Sequence, residues 1–354
     1  MKYKFEDLIF NITEKKKPVE EDKYNYIGLE HLESGNLFIS KWGSDTAPEG
    51  EKIVMKKGDV LFGKRRAYQK KVAISPIDGI FSAHGMVLRP KEDVICKEFL
   101  PFFISSETFL NEAIRISVGG LSPTVNWKDI KELEFDLPSL AEQKVLAEKL
   151  WAAYEVKQSY LKMIAATEEM VKSQFIEMFV FHELNLNSPS KDFESMCFDD
   201  TSSATKIPAG EYLQEGKYAI YDQSQEKDIA GFSNTEQGLC RNYPAVLFGD
   251  HSRVVKYINE PFFIGADGVK IIRPKADKLI PEFLYYDLKY HNIPNTGYNR
   301  HFKYIKMISL TKASLDEQSR FLSIAHQADK SISELRKSVD AIDKVIKSLI
   351  NENI

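Results

Sequence analysis

Five cations fall within nine residues at Gly63-Lys64-Arg65-Arg66-Ala67-Tyr68-Gln69-Lys70-Lys71. Cations at this density bind phosphate oxygens, and an arginine fork can engage both acceptors of a guanine edge. A second stretch, Gly249-Asp250-His251-Ser252-Arg253-Val254-Val255-Lys256, stands at the equivalent place of a later segment. Two further loops mix glycine, amide, aromatic and cation. They are Gly119-Gly120-Leu121-Ser122-Pro123-Thr124-Val125-Asn126-Trp127-Lys128 and Gly297-Tyr298-Asn299-Arg300-His301-Phe302-Lys303. Asparagine suits an adenine edge, and arginine or lysine suits guanine or phosphate. Taken alone, the basic cluster reads equally well as a phosphate contact or a solvated hairpin tip, and the two mixed loops equally well as groove contacts or ordinary loops. The residues expected to touch DNA are Lys64, Arg65, Arg66, Lys70, Lys71, Ser122, Thr124, Asn126 and Lys128 in the first half. In the second half they are His251, Arg253, Lys256, Tyr298, Asn299, Arg300, His301 and Lys303.

Signs of catalysis are scarce by comparison. The chain has no Gly-x-Gly-x-x-Gly, no Gly-x-x-x-x-Gly-Lys-Ser/Thr, no His-Glu-x-x-His and no Gly-x-Ser-x-Gly. It also lacks the Asn-Pro-Pro-Tyr/Phe of amino-methylating nucleic-acid enzymes. Glu14-Lys15-Lys16 has a nuclease-like Glu-x-Lys form, but in a lysine-rich stretch it reads as a solvated charge run. Asp250, His251 and Asp267 could serve as a general base, yet no nucleophile or metal-ligand spacing accompanies them. Cys96, Cys197 and Cys240 are odd in number and far apart, which fits neither a disulfide framework nor a metal site. That usage fits a reducing cytoplasm. No apolar run is long enough to span a membrane. A net charge of -4 restricts any nucleic-acid site to a local patch.

What positions these loops is a repeat. Val60-Leu61-Phe62-Gly63 returns as Val246-Leu247-Phe248-Gly249, and Glu98-Phe99-Leu100 as Glu282-Phe283-Leu284. Ser82-Ala83-His84-Gly85-Met86-Val87-Leu88-Arg89-Pro90 corresponds to Gly265-Ala266-Asp267-Gly268-Val269-Lys270-Ile271-Ile272-Arg273-Pro274. The order is kept, and the offset narrows only from 186 to 175. The span from 1 to 138 and that from 183 to 313 share short apolar runs broken by Pro and Gly, which predicts short strands. One short helix is expected in each, near 97–114 and 280–290. Matched cores with divergent loops are what two readers of different sequences require.

Between and after these spans the texture changes. From Leu140 to Phe181 there is neither Pro nor Gly, and apolar residues follow the helical period. The stretch from 315 to about 350 keeps a heptad seam. Each opens on Ser-Leu-(Ala/Asp)-Glu-Gln, with serine and glutamate spaced as a capping box. The expected seam and docking residues are Leu146, Leu150, Leu161, Ile164, Val171, Leu322, Ile332, Leu335, Val339 and Ile342. About 40 residues at 1.5 Å rise is roughly 60 Å of apolar stripe. Pairing the helices with each other buries both stripes; the alternative is that each folds onto its own globule. The fold class expected is α+β: two similar mixed α/β domains separated by two long helices in an antiparallel coiled coil, with pseudo-twofold symmetry. The segments are 1–138, 139–182, 183–313 and 314–354.

At these residues the chain resembles the specificity subunit of type I restriction-modification systems. The strongest matches are Leu247-Phe248-Gly249-Asp250-His251-Ser252-Arg253-Val254-Val255-Lys256-Tyr257 and Ile264-Gly265-Ala266-Asp267-Gly268-Val269-Lys270, then the duplicated Ile-Lys and Ser-Leu-x-Glu-Gln junctions. The resemblance implies two target recognition domains, each reading half of an interrupted DNA sequence. It implies spacer helices that dock two methyltransferase subunits, whose S-adenosylmethionine this chain does not bind, and a separate motor-nuclease subunit. It implies a non-catalytic protein; a coiled-coil adaptor without DNA specificity is the alternative, and a nuclease acting alone ranks last. Two departures stand out. The first junction keeps a proline, Pro138, while the second, Leu310-Thr311-Lys312-Ala313-Ser314, has none. Lys64-Arg65-Arg66 also replaces the motif that Asp250-His251-Ser252 carries, so contacts do not transfer between the halves.

Overall fold

The structure is a computed structural model that describes residues 2–179, 190, 192–225, 227–275 and 278–354. The expected end of the first long helix near 182 lies outside the described residues. The chain forms two compact units, Met1–Lys162 with Leu335–Ile354, and Met163–Glu334. Each unit thus holds a globule together with part of both long helices.

The repeat reappears as a repeated sheet. In the first unit, strands β1 (Ile9–Ile12), β2 (Val60–Phe62), β3 (Val72–Ile74) and β4 (Met86–Pro90) are ordered β1-β4-β2-β3, all antiparallel. In the second, β5 (Cys197–Asp199), β6 (Ala245–Gly249), β7 (Val255–Ile258) and β8 (Val269–Pro274) take the same order, β5-β8-β6-β7. Leu61 faces Val87 across one ladder, and Leu247 faces Ile271 across the other. Every residue of β2 and β6 is buried, as expected where both faces of a strand are covered. The second sheet of each unit diverges. Lys52–Met55 runs antiparallel to Gly79–Phe81, whereas Tyr218–Tyr221 runs parallel to Phe262–Gly265.

The helices that bear on the site are α1 (Leu100–Ser105), α2 (Glu107–Arg115) and α3 (Trp127–Ile130) in the first unit, the long helix α4 (Leu140–Met178), then α5 (Pro281–Tyr290) and α6 (Phe302–Ile305) in the second, and the long helix α7 (Leu315–Asn351). Both long helices begin in the expected capping box. The Ser139 backbone N–H and hydroxyl donate to Glu142, and Ser314 does the same to Glu317. The next residue has a use that spacing alone does not reveal. Gln143, wholly buried, accepts from the Cys96 N–H at 2.8 Å and donates to the Pro138 and Val94 carbonyls. Gln318, also wholly buried, accepts from the Ile280 N–H at 2.8 Å and donates to the Ala313 and Lys278 carbonyls. Each glutamine staples its long helix to the segment entering the adjacent short helix.

The junction without proline is fixed by other means. Thr311 donates its N–H and its hydroxyl to the two carboxylate oxygens of Asp287 on α5, at 2.9 and 2.7 Å. Asp287 is fully buried; burial pushes its carboxyl pKa up, opposed by His291.

The long helices pack on each other and on their globules. In the first unit Leu146, Ala147, Leu150 and Tyr154 share one core with Phe102, Ile346 and Ile350, and Lys157 pairs with Asp343 at 2.7 Å. Tyr154 reaches the globule itself, accepting from the Leu37 N–H at 2.6 Å. In the second unit Val171, Phe175 and Phe179 share a core with Phe283, Phe321, Leu322, Ala325 and Ala328. The two alternatives left by the sequence are therefore both realised. Ile164 and Ile332 are buried, and Leu335, Val339 and Ile342 are half-buried. Leu161 is 39% exposed.

Candidate nucleic-acid interface

In each unit the hairpin after the repeated strand is tied to the loop before the last short helix. In the first unit the tie is a set of backbone bonds. The Arg66 N–H donates to the Pro123 carbonyl at 2.7 Å, and the Val125 N–H donates to the Lys64 carbonyl at 3.0 Å. Arg65 and Thr124 form a β-bridge, and the Arg65 N–H reaches the His84 carbonyl at 3.1 Å. The two cation-bearing stretches found in sequence are therefore one surface.

Side chains on this surface differ in freedom. Arg65, Arg66 and Lys128 are exposed; Lys64, Lys70, Lys71, Ser122, Thr124 and Asn126 are half-buried. Arg66 Nε donates to Ser122 Oγ at 3.2 Å, and Thr124 Oγ1 to the Ser122 carbonyl at 3.2 Å. Lys71 spends its ammonium on the Leu29 carbonyl at 2.7 Å. Arg65 Nη1 donates to His84 Nε2 at 3.3 Å. Burial first, then the charges of Arg65, Lys64 and Lys52, pull the His84 pKa down, which favours the neutral ring over the charged one. Burial and then Lys15 pull down the pKa of Lys64. Sequence reading passed over His84, although it stands inside a repeated block.

Among the described residues, Arg66, Lys70 and Arg253 alone combine a side chain with positive φ, at 56°, 51° and 63°. All three lie in the two equivalent hairpins. Such backbone costs on the order of 1 kcal/mol for a residue with Cβ and almost nothing for glycine. Arg66→Gly is accordingly expected to unfold at a higher temperature than Arg66→Ala, by about 1 kcal/mol of stability. Equal melting temperatures for the two variants would show that the hairpin is not strained.

The second head is held from inside. The Asp250 N–H donates to the Gly268 carbonyl at 2.6 Å, and Asp250 Oδ1 accepts the N–H of Phe302 at the start of α6 at 2.7 Å. Its carbonyl accepts both the N–H and Nδ1 of His301, at 2.8 and 2.9 Å. His301 Nε2 then accepts from Thr296. Arg253 Nη1 donates to the Ile293 carbonyl at 3.0 Å. Gly249 leaves room for this turn: a Cβ there would strike Ser252 Oγ at 2.2 Å and Gln223 at 2.9 Å. Gln223, missed in sequence, accepts the His251 N–H at 3.1 Å.

Three of the residues expected to touch DNA have side chains bonded to the protein itself. Lys256 is 7% exposed, with its ammonium on the Lys227 and Asp228 carbonyls at 2.7 and 3.0 Å. His301 is 0% exposed and braces the head. Arg253 is half-buried and its guanidinium braces the same loop. The Asp250 carboxylate points to α6, so no Asp250–His251 base pair exists. His251 remains half-buried, while Tyr298, Asn299, Arg300 and Lys303 are exposed. His251 and Tyr298 stack with centroids 4.7 Å apart and planes 8° apart, and His251 Nδ1 lies 3.2 Å from the Asn299 carbonyl.

Among the described residues, no group of three or more His, Cys, Asp or Glu is placed to hold a metal ion. Nor is any helix there long and apolar enough to cross a membrane. The arrangement offers hydrogen-bonding and cationic surfaces.

Residues 2–159 match the family model of the type I restriction modification DNA specificity domain. Among curated proteins no significant match is found. Two solved structures share the fold. One comes from work on complex assembly and conformational transition of the type I R-M system, at a TM-score of 0.53 and 18% identity over 100% of this chain and 97% of that one. The other is the type I restriction-modification S subunit from M. genitalium, at a TM-score of 0.50 and 16% identity over 99% of this chain and 94% of that one.

Proposed function

We propose that this chain, which carries a type I restriction modification DNA specificity domain over residues 2–159 and shares its fold with an S subunit, reads an interrupted, asymmetric DNA sequence for a restriction-modification complex. Its part is DNA specificity and not catalysis. The observation that carries the finer reading is the duplicated head. Two equivalent sheets each present a hairpin bonded to a second polar loop, and the exposed side chains of the two differ. Arg65, Arg66 and Lys128 face out from one; Tyr298, Asn299, Arg300 and Lys303 face out from the other. Similar scaffolds with different tips suit two half-sites of different sequence.

The partners proposed are double-stranded DNA and two methyltransferase subunits docked along the long helices. S-adenosylmethionine belongs to those subunits, as cleavage belongs to a motor-nuclease subunit, and the complex works in the cytoplasm. Mapping methylated bases in host DNA with and without this chain tests the reading. A two-part motif should vanish when the chain is deleted; an unchanged methylation pattern overturns the proposal. Removing seven residues from both long helices takes out roughly 10 Å of helix. Where helix length sets the gap, the spacing between half-sites should shorten by about three base pairs. An unaltered gap removes the helices from that role.

A further inference from the structure

One ring in the second head has its hydrogen-bonding polarity set by its neighbours. His251 Nδ1 lies 3.2 Å from the Asn299 carbonyl oxygen. A carbonyl only accepts, so Nδ1 carries the proton. A neutral imidazole protonated there has a bare lone pair at Nε2. Among the described residues nothing bonds that nitrogen, and it is not among the buried unpaired atoms, so it faces solvent. The ring cannot easily turn over and so carry Nε2 to the place of Cε1. It lies flat on Tyr298, itself 89% exposed, and a flip breaks the bond to Asn299. The backbone beneath is pinned by Gln223, and the turn by Arg253 and Asp250.

In the major groove, adenine N6 and cytosine N4 are the exocyclic donors. Guanine shows only acceptors, at N7 and O6. An acceptor held in one orientation pairs with the first two and opposes the third. We propose that Nε2 of His251, presented on the Tyr298 ring, reads the amino group of one adenine or cytosine and rejects guanine at that position. This rests on the DNA-reading function above. The first head has the opposite polarity: Arg65 and Lys64 present donors, and its histidine, His84, already takes an arginine N–H. Each head thus selects a different class of base edge.

The test is selection from a randomised duplex library by the chain assembled with its methyltransferase partner. Wild type is compared with His251→Phe, which keeps a flat ring on Tyr298 and removes Nε2, and with His251→Gln, whose amide both donates and accepts. Wild type should discriminate against guanine about tenfold or more at one position of one half-site. His251→Phe should lose that discrimination and leave the other half-site unchanged; His251→Gln should admit guanine there. Thermal unfolding of the free variants separates misfolding from lost reading. The inference is overturned if His251→Phe selects the same sequences as wild type, or if the lost preference is one for guanine. A wild-type complex that selects no sequence at all removes the DNA-reading function itself.

Discussion

Replacing Lys64, Arg65 and Arg66 together by glutamine is expected to cost roughly tenfold in DNA affinity per phosphate contact at about 0.1 M salt. The larger signature is in the salt dependence. Each phosphate contact adds about 0.9 to the slope of log affinity against log salt, so the slope should fall by up to about 2.7. The reason is positional. These three residues follow a wholly buried strand and are bonded through their backbone to the neighbouring loop, so the cations are delivered to one place. Arg65 and Arg66 are exposed and have only neutral partners, His84 and Ser122. Changes at His251 in the other head should alter base preference and leave the slope where it was. Titrating binding of the assembled complex against salt decides the matter; an unaltered slope for the triple variant means the hairpin does not touch the backbone of DNA.

Gln318→Ala is expected to destabilise the second unit by about 3 kcal/mol, and Gln143→Ala the first by a similar amount. Each substitution removes one bond to a backbone N–H and two to carbonyls, all at a wholly buried side chain. A donor left unpaired away from water costs about 1–3 kcal/mol, and the lost side-chain volume adds a cavity term. Gln318→Glu should be worse, because a carboxylate would face the Lys278 and Ala313 carbonyls. Ser314→Ala, which loses a solvent-side cap, should cost only about 1 kcal/mol. Thermal unfolding compares the series directly. A Gln318→Ala protein as stable as Ser314→Ala would mean the glutamine staple carries little of the packing.

Much of this organisation was legible from residue order. The repeated Val-Leu-Phe-Gly runs became the central strands of two sheets with the same strand order. The Ser-Leu-x-Glu-Gln runs became helix starts within a residue of the expected position. Residue type, however, says what a side chain can bond and not which way it points. Lys256 was counted with the exposed cations, yet it shares the inward face of β7 with Ile258, and the period of two along that strand was the available signal. Arg253 and His301 were turned inward by a left-handed backbone and by a bond to a carbonyl 51 residues away, which no local pattern encodes. The repeated glutamine was visible as a letter, but its use was hidden because its partners lie about 40 residues upstream.

That staple has a consequence for how such a chain can change. Gln143 and Gln318 bond only to backbone atoms, both of the segments entering the short helices and of the junctions they follow. The staple itself therefore asks no particular side chain of the segments it holds, unlike the apolar packing around it. A head altered only at its tips keeps the backbone atoms that the staple uses. Recognition at the exposed tips can thus be rewritten without disturbing the bonds that seat each long helix.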